Sequence, residues 1–201
     1  MTGARRETPE PTLPNAPGRR TVVTGSIGSG KTTRVLEMLQ TYRDAGLTVA
    51  GVVSLHLNAD DAERESYRFR FLSTGEERTF ARRSADPTPP SSRYRFDPEA
   101  FARAREELTR WQRGPDEAGG HIDVIVIDEC GPLELRGEGL WEELRAAWMG
   151  FPGDVVVTVR DRLVDEFFDA FDAREAPDTG RAGACEVMRL PDRGTRSSSG
   201  T

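Results

Sequence analysis

Lysine is nearly missing from this chain. The sequence carries 28 cationic side chains over 201 residues, and all but Lys31 are arginine. GC-rich codon usage produces such a bias, so the single position that keeps lysine marks a requirement for it. The shortage also excludes functions. A guanine-reading NKxD motif needs a lysine outside the phosphate loop, and none exists. The strand lysine and HRD-type loop of protein kinases are absent, as is an LSGGQ-like transporter signature. Histidine is scarce: His56 and His121 have no ligand cluster around them in sequence, so no zinc site is expected. The two cysteines, Cys130 and Cys185, show no CxxC spacing and form no disulfide framework. No apolar run approaches the roughly 20 residues that cross a bilayer. The N-terminus lacks an apolar h-region, and no signal peptide or membrane partner is expected. Net charge is −6, which removes the basic footprint of a non-specific nucleic-acid binder. These absences together predict a reduced, cytoplasmic location.

What is present reads as one domain over residues 19–190. It lies between a Pro-rich, charged tail at 1–18 and a second polar tail at 191–201, both expected to be disordered. Apolar runs alternate with helical periods. Strands are predicted at 21–24, 47–54, 122–127 and 155–159, with a closing strand at 184–190. Helices are predicted at 31–45, 98–112, 140–149 and 163–171. Residues 67–72 and 78–81, separated by Ser73, Thr74 and Gly75, predict a β-hairpin, and residues 86–92 a loop. This alternation specifies an α/β three-layer fold with a mainly parallel sheet.

The chemistry concentrates at two places. The first is GSIGSGKTT, comprising Gly25, Ser26, Ile27, Gly28, Ser29, Gly30, Lys31, Thr32 and Thr33. It matches GxxxxGK[ST], the P-loop, whose backbone N–H groups wrap nucleotide phosphates. It follows a strand and opens a helix, whose N-terminus adds partial positive charge. Lys31 must reach the β/γ-phosphates as a compact point charge, a task for which a planar guanidinium is poorly shaped. Thr32 offers a hydroxyl to Mg²⁺. The second place is IDVIVIDE, an apolar strand ending in acids. Asp128 is placed there to hold Mg²⁺ opposite Thr32. Glu129 is the residue that can orient and deprotonate a water in line with the γ-phosphate. Pairing with a nearby arginine is the alternative role for Glu129. Glu134 is a rival base, with anchoring of the following helix as its competing role. Arg160 ends the strand VVVTVR at the ligand edge of the sheet and can stabilise charge on the γ-phosphate, or else form a surface ion pair. Thr158 is a candidate polar sensor two residues earlier, and Arg162 a less well placed competitor of Arg160.

Eight arginines between Arg64 and Arg95 suggest an acceptor or nucleic-acid site. Seven acids between Asp60 and Asp86 nearly cancel them, so a solvated hairpin face is expected. Tyr94 and Phe96 are assigned to core packing by default, with stacking on a nucleotide base as the alternative. Trp111, Trp141 and Trp148 are assigned to packing, and Cys130 to a buried position near the site.

GSIGSGKTT, SRYRFDPEAF and above all VIVIDECGPLEL resemble the small RecA-like P-loop nucleoside-triphosphatases of the thermophile type. The resemblance spans residues 21–171. It implies a RecA-like core in which one strand separates the P-loop strand from the Asp128 strand. It further implies Mg²⁺-dependent hydrolysis of ATP, GTP or other NTPs to the diphosphate and phosphate, slowly and with loose base preference. By position, Lys31 and Thr32 serve phosphate and metal, Asp128 the metal and Glu129 the water. LHLNADDAERESYRF departs from the family, which has a basic, glycine-rich stretch there. Two other functions fit the residues. One is a small-molecule or nucleotide kinase with the 64–95 segment as acceptor site. The other is a regulatory module whose nucleotide state controls a protein partner.

Overall fold

The computed structural model describes residues 18–57, 65–84, 94–113, 121–172 and 185–191. The two predicted tails, apart from Gly18 and Pro191, and the 86–92 loop lie outside the described residues.

Among the described residues, eight strands form one sheet. They are β1 (Arg20–Gly25), β2 (Val49–Leu57), β3 (Ser66–Phe71), β4 (Glu77–Arg83), β5 (Tyr94–Phe96), β6 (Val124–Cys130), β7 (Asp154–Arg160) and β8 (Cys185–Arg189). Their order is β5-β4-β3-β2-β6-β7-β1-β8. β2, β6, β7, β1 and β8 run parallel, while β3, β4 and β5 extend the sheet antiparallel beyond β2. One strand, β7, therefore separates the P-loop strand from the Asp128 strand, as the resemblance implied.

Strand periodicity builds three layers. Val22, Ile125, Ile127, Val155 and Val157 point to one face, and Val23, Val124, Val126 and Val156 to the other. The second face is covered by α1 (Lys31–Asp44) through Val35 and Leu39. The first is covered by α2 (Pro98–Thr109), α3 (Pro132–Leu135), α4 (Trp141–Gly150) and α5 (Val164–Asp172). Each fully buried Val, Ile or Leu contributes about 1.5–3 kcal/mol relative to exposure. Local signals set the helix ends. Asp97 caps α2 by accepting from the Glu99 amide at 2.9 Å, with Pro98 in the first turn. In β2, Gly51 has φ 125°, and a Cβ there would overlap the Val126 carbonyl of β6, so only glycine admits this strand spacing.

The hairpin is not a free insertion. Glu107 of α2, fully buried, accepts from the Ser73 amide at 3.0 Å and the Ser73 hydroxyl at 2.6 Å. A charged side chain thereby pins the β3–β4 turn to the core. The arginine-rich face is paired as expected: Arg70 with Glu77, Arg78 with Glu99, and Arg83 with Glu65. Such exposed pairs contribute little to stability.

Three elements differ from the sequence reading. β5 is a strand where no element is predicted, and the DECGPLEL segment contains the one-turn helix α3. The predicted 98–112 helix stops at Thr109 and tightens into a 3₁₀ turn over Arg110–Arg113. Trp141 is buried, while Trp111 and Trp148 are half-buried against the same core. Among the described residues, no helix is long and apolar enough to cross a membrane.

Candidate active site

The C-terminal ends of β1, β6, β7 and β2 meet at one sheet edge, the position at which open α/β sheets bind ligands. The loop after β1 turns sharply there. Gly30, immediately before α1, has φ 96°, a left-handed conformation that a side chain would resist. No side chain caps α1, and no acid lies in its first turn. Its amides are left for an anion. Lys31 folds back over the loop, its Nζ donating to the carbonyls of Gly25 at 2.8 Å and Ser26 at 2.7 Å. Burial, followed by the neighbouring Arg160 charge, holds its ammonium below the ordinary lysine pKa.

From β6 comes Asp128, 4 % exposed. Its Oδ2 accepts from the Thr32 hydroxyl at 2.9 Å and from the Ser54 amide at 3.2 Å. Its Oδ1 accepts from the Thr158 hydroxyl at 2.7 Å. Burial raises this carboxyl to about 6, against the opposing pull of the Thr158 and Thr32 hydrogen bonds. Glu129 follows with φ 77°, the one described non-glycine residue with positive φ. That conformation costs on the order of 1 kcal/mol and points to function. Its Oε1 accepts from Arg160 Nη2 at 2.9 Å, both side chains being about one-third exposed.

These groups line a cavity of about 510 Å³. Ile27, Gly28, Gly30, Lys31, Thr32 and Thr33 form the phosphate-loop wall, and Asp128, Glu129, Thr158 and Arg160 the opposite one. Gly25, Ser26 and Ser29 stand behind that wall, the first two holding Lys31. Ser54, His56 and Tyr67 also reach the cavity, and the sequence reading did not name them as site residues. They arrive by register: His56 pairs with Tyr67 across β2–β3, their rings stacked at 4.5 Å. Arg162 does not line the cavity.

The donor set suits a small hard cation. Thr32 Oγ1 and Asp128 Oδ2 are oxygens from two elements, already within 2.9 Å of each other. Among the described residues, no group of three or more His, Cys, Asp or Glu could hold a metal alone. Mg²⁺ needs only one or two protein oxygens, with phosphates and water completing its shell.

With this geometry in place, the comparisons decide the family. The NTPase family model matches residues 20–179. The chain belongs to this NTPase family. Nucleoside-triphosphatase THEP1 of Hyperthermus butylicus is 32% identical over 147 residues, covering 73% of each chain. The protein of the same name from Thermococcus kodakarensis is 34% identical over 153 residues, covering 74% of this chain and 79% of its own. The solution structure of a human cancer-related nucleoside triphosphatase superposes with a TM-score of 0.62 at 21% identity, covering 88% of this chain and 90% of that one. The crystal structure of THEP1 from Aquifex aeolicus gives 0.57, also at 21% identity, over 86% and 90%. The α/β RecA-like fold is thereby established.

Within this NTPase, Glu134 anchors the start of α3. It is 8 % exposed and lies off the cavity wall, and its Oε2 accepts from the Gly131 amide at 3.0 Å at the start of α3. Burial raises its carboxyl to about 7, far above its ordinary 4.5. The folded state thus binds a proton that the unfolded state has lost between these values. The resulting stabilisation is complete below about pH 4.5 and disappears as pH rises through about 7. Glu134→Gln is therefore expected to gain on the order of 2 kcal/mol over wild type near pH 8 and little near pH 5. Denaturant melts at the two pH values check it. Equal differences at both would show that Glu134 is ionised throughout.

Proposed function

We propose that this chain hydrolyses nucleoside triphosphates to the diphosphate and phosphate, with Mg²⁺ required. The supporting observation is the juxtaposition of Thr32 and Asp128 at 2.9 Å, with Glu129 in the same cavity. Phosphate binding draws Lys31 from the Gly25 and Ser26 carbonyls, which satisfy it meanwhile, onto the β/γ-phosphates. Thr32 and Asp128 would hold Mg²⁺, which when bound would neutralise charge at the phosphate oxygens. Arg160 now sits on Glu129 and close enough to Lys31 to lower its pKa. A γ-phosphate competes for this guanidinium, and its departure frees the Glu129 carboxylate. Glu129 then accepts a proton from the attacking water as the water oxygen bonds to the γ-phosphorus. The β–γ bridging bond breaks, and its electrons leave with the diphosphate.

The test is phosphate release from ATP, GTP, CTP and UTP, with Mg²⁺ and with chelator. Release from all four that vanishes with chelator is expected. Metal-independent release, or none from any NTP, would contradict the proposal. For Arg160→Ala, kcat should fall about a hundredfold, through loss of charge stabilisation at the γ-phosphate. A change of less than about twofold would leave Arg160 as a surface ion pair.

A further inference from the structure

β6 and β7 lose register at the two acids. Ile127 pairs with Val157 and Cys130 with Val159, so Asp128 and Glu129 together stand opposite Thr158 alone. This is a β-bulge, which bends a strand and re-aims a side chain. Here it places Glu129 in its left-handed conformation and its carboxylate in the cavity. Thr158 is the residue facing the bulge, 1 % exposed. Its Oγ1 accepts from the Glu129 amide at 2.6 Å and donates to Asp128 Oδ1 at 2.7 Å. A hydroxyl has one proton, so the two roles fix one another. Accepting from the amide directs the proton to Asp128. Valine, the residue on both sides of Thr158 in β7, fills this space equally well but makes neither bond.

We propose that Thr158 is a positioning residue that fastens the strained Glu129 backbone to the metal-side carboxylate, so that both acids keep one geometry. It touches no reacting atom. Asp128 presents Oδ2 toward Thr32 while its Oδ1 accepts from Thr158 Oγ1, and the Glu129 amide donates to that same Thr158 hydroxyl. Displacement of one acid is thereby transmitted to the other. The catalytic part of this inference rests on Glu129 being the base. Its structural part does not.

The test uses the full ¹⁵N-labelled chain and the variants Thr158→Val and Thr158→Ser. In wild type the Glu129 amide proton should resonate downfield, as a short hydrogen bond requires. It should move upfield in Thr158→Val and return in Thr158→Ser. kcat should fall about tenfold to a hundredfold in Thr158→Val, the cost of a small misplacement. KM should stay close to wild type, and Thr158→Ser should recover most of kcat. The melting temperature should fall modestly in Thr158→Val, because the Glu129 amide and Asp128 Oδ1 each lose a buried partner. Combined with Glu129→Gln, Thr158→Val should add little further loss, because it acts through Glu129. An unmoved Glu129 amide in Thr158→Val overturns the proposal. So does a raised KM with unchanged kcat. Should Glu129→Gln keep full turnover, the base assignment fails, while the amide shift still decides the position of Thr158.

Discussion

Lys31→Ala is expected to weaken nucleotide binding by at least about tenfold to a hundredfold and to eliminate measurable turnover. A hydrogen bond to a charged group contributes about 1.5–3 kcal/mol, and Lys31 stands to make such bonds to two phosphates at once. Its ammonium is partly desolvated, with its pKa held down by burial and by Arg160, and an anionic ligand relieves that penalty. The fold should survive the change. Among the described residues Nζ bonds the carbonyls of Gly25 and Ser26, while the core beneath α1 rests on Val35 and Leu39. Lys31→Arg is the sharper variant. In a chain that uses arginine for every other cation, it should fail as well, because the planar fork does not fit a loop shaped around a point charge. Titration calorimetry with Mg²⁺ and a non-hydrolysable triphosphate measures both variants. Wild-type affinity in Lys31→Ala would remove the lysine from the phosphate site.

Glu129→Gln should leave binding near wild type and lower kcat about a hundredfold to ten-thousandfold, the span attributed to a positioned general base. The amide retains an oxygen for Arg160 and fits the same space at φ 77°, so the bulge is preserved. What it loses is the ability to take a proton. A kcat effect without a KM effect marks an interaction made only on the way to the transition state. A raised KM at unchanged kcat would instead make Glu129 a binding group.

Much of this was legible before the structure. The continuous apolar run of IDVIVI and the period of 3.6 after Lys31 specify β6 and α1, because a strand buried on both faces is apolar throughout and a helix buried on one face is not. GSIGSGKTT and DE mark the two walls of the cavity in advance because their motif chemistry is local. Elements held by distant partners left no such trace. β5 is three residues long and exists through its pairing with β4, Tyr94 opposite Arg83. α3 is one turn held by Glu134, whose bond to Gly131 reads in sequence as another acid near the site. Ser54, His56 and Tyr67 reach the cavity only because β2 lies beside β6 and β3 beside β2. Strand register is a property of the sheet and not of any segment within it. The bulge at Asp128 and Glu129 is invisible for the same reason, although it is what turns Glu129 to the cavity.

The most direct test is the nucleotide content of the Glu129→Gln protein after mixing with Mg²⁺ and a stoichiometric NTP. If Lys31, Thr32 and Asp128 bind the triphosphate and Glu129 activates the water, the complex separated from free ligand should hold intact NTP, while wild type treated identically yields the diphosphate and phosphate. Diphosphate accumulating in the variant at the wild-type rate would contradict the account.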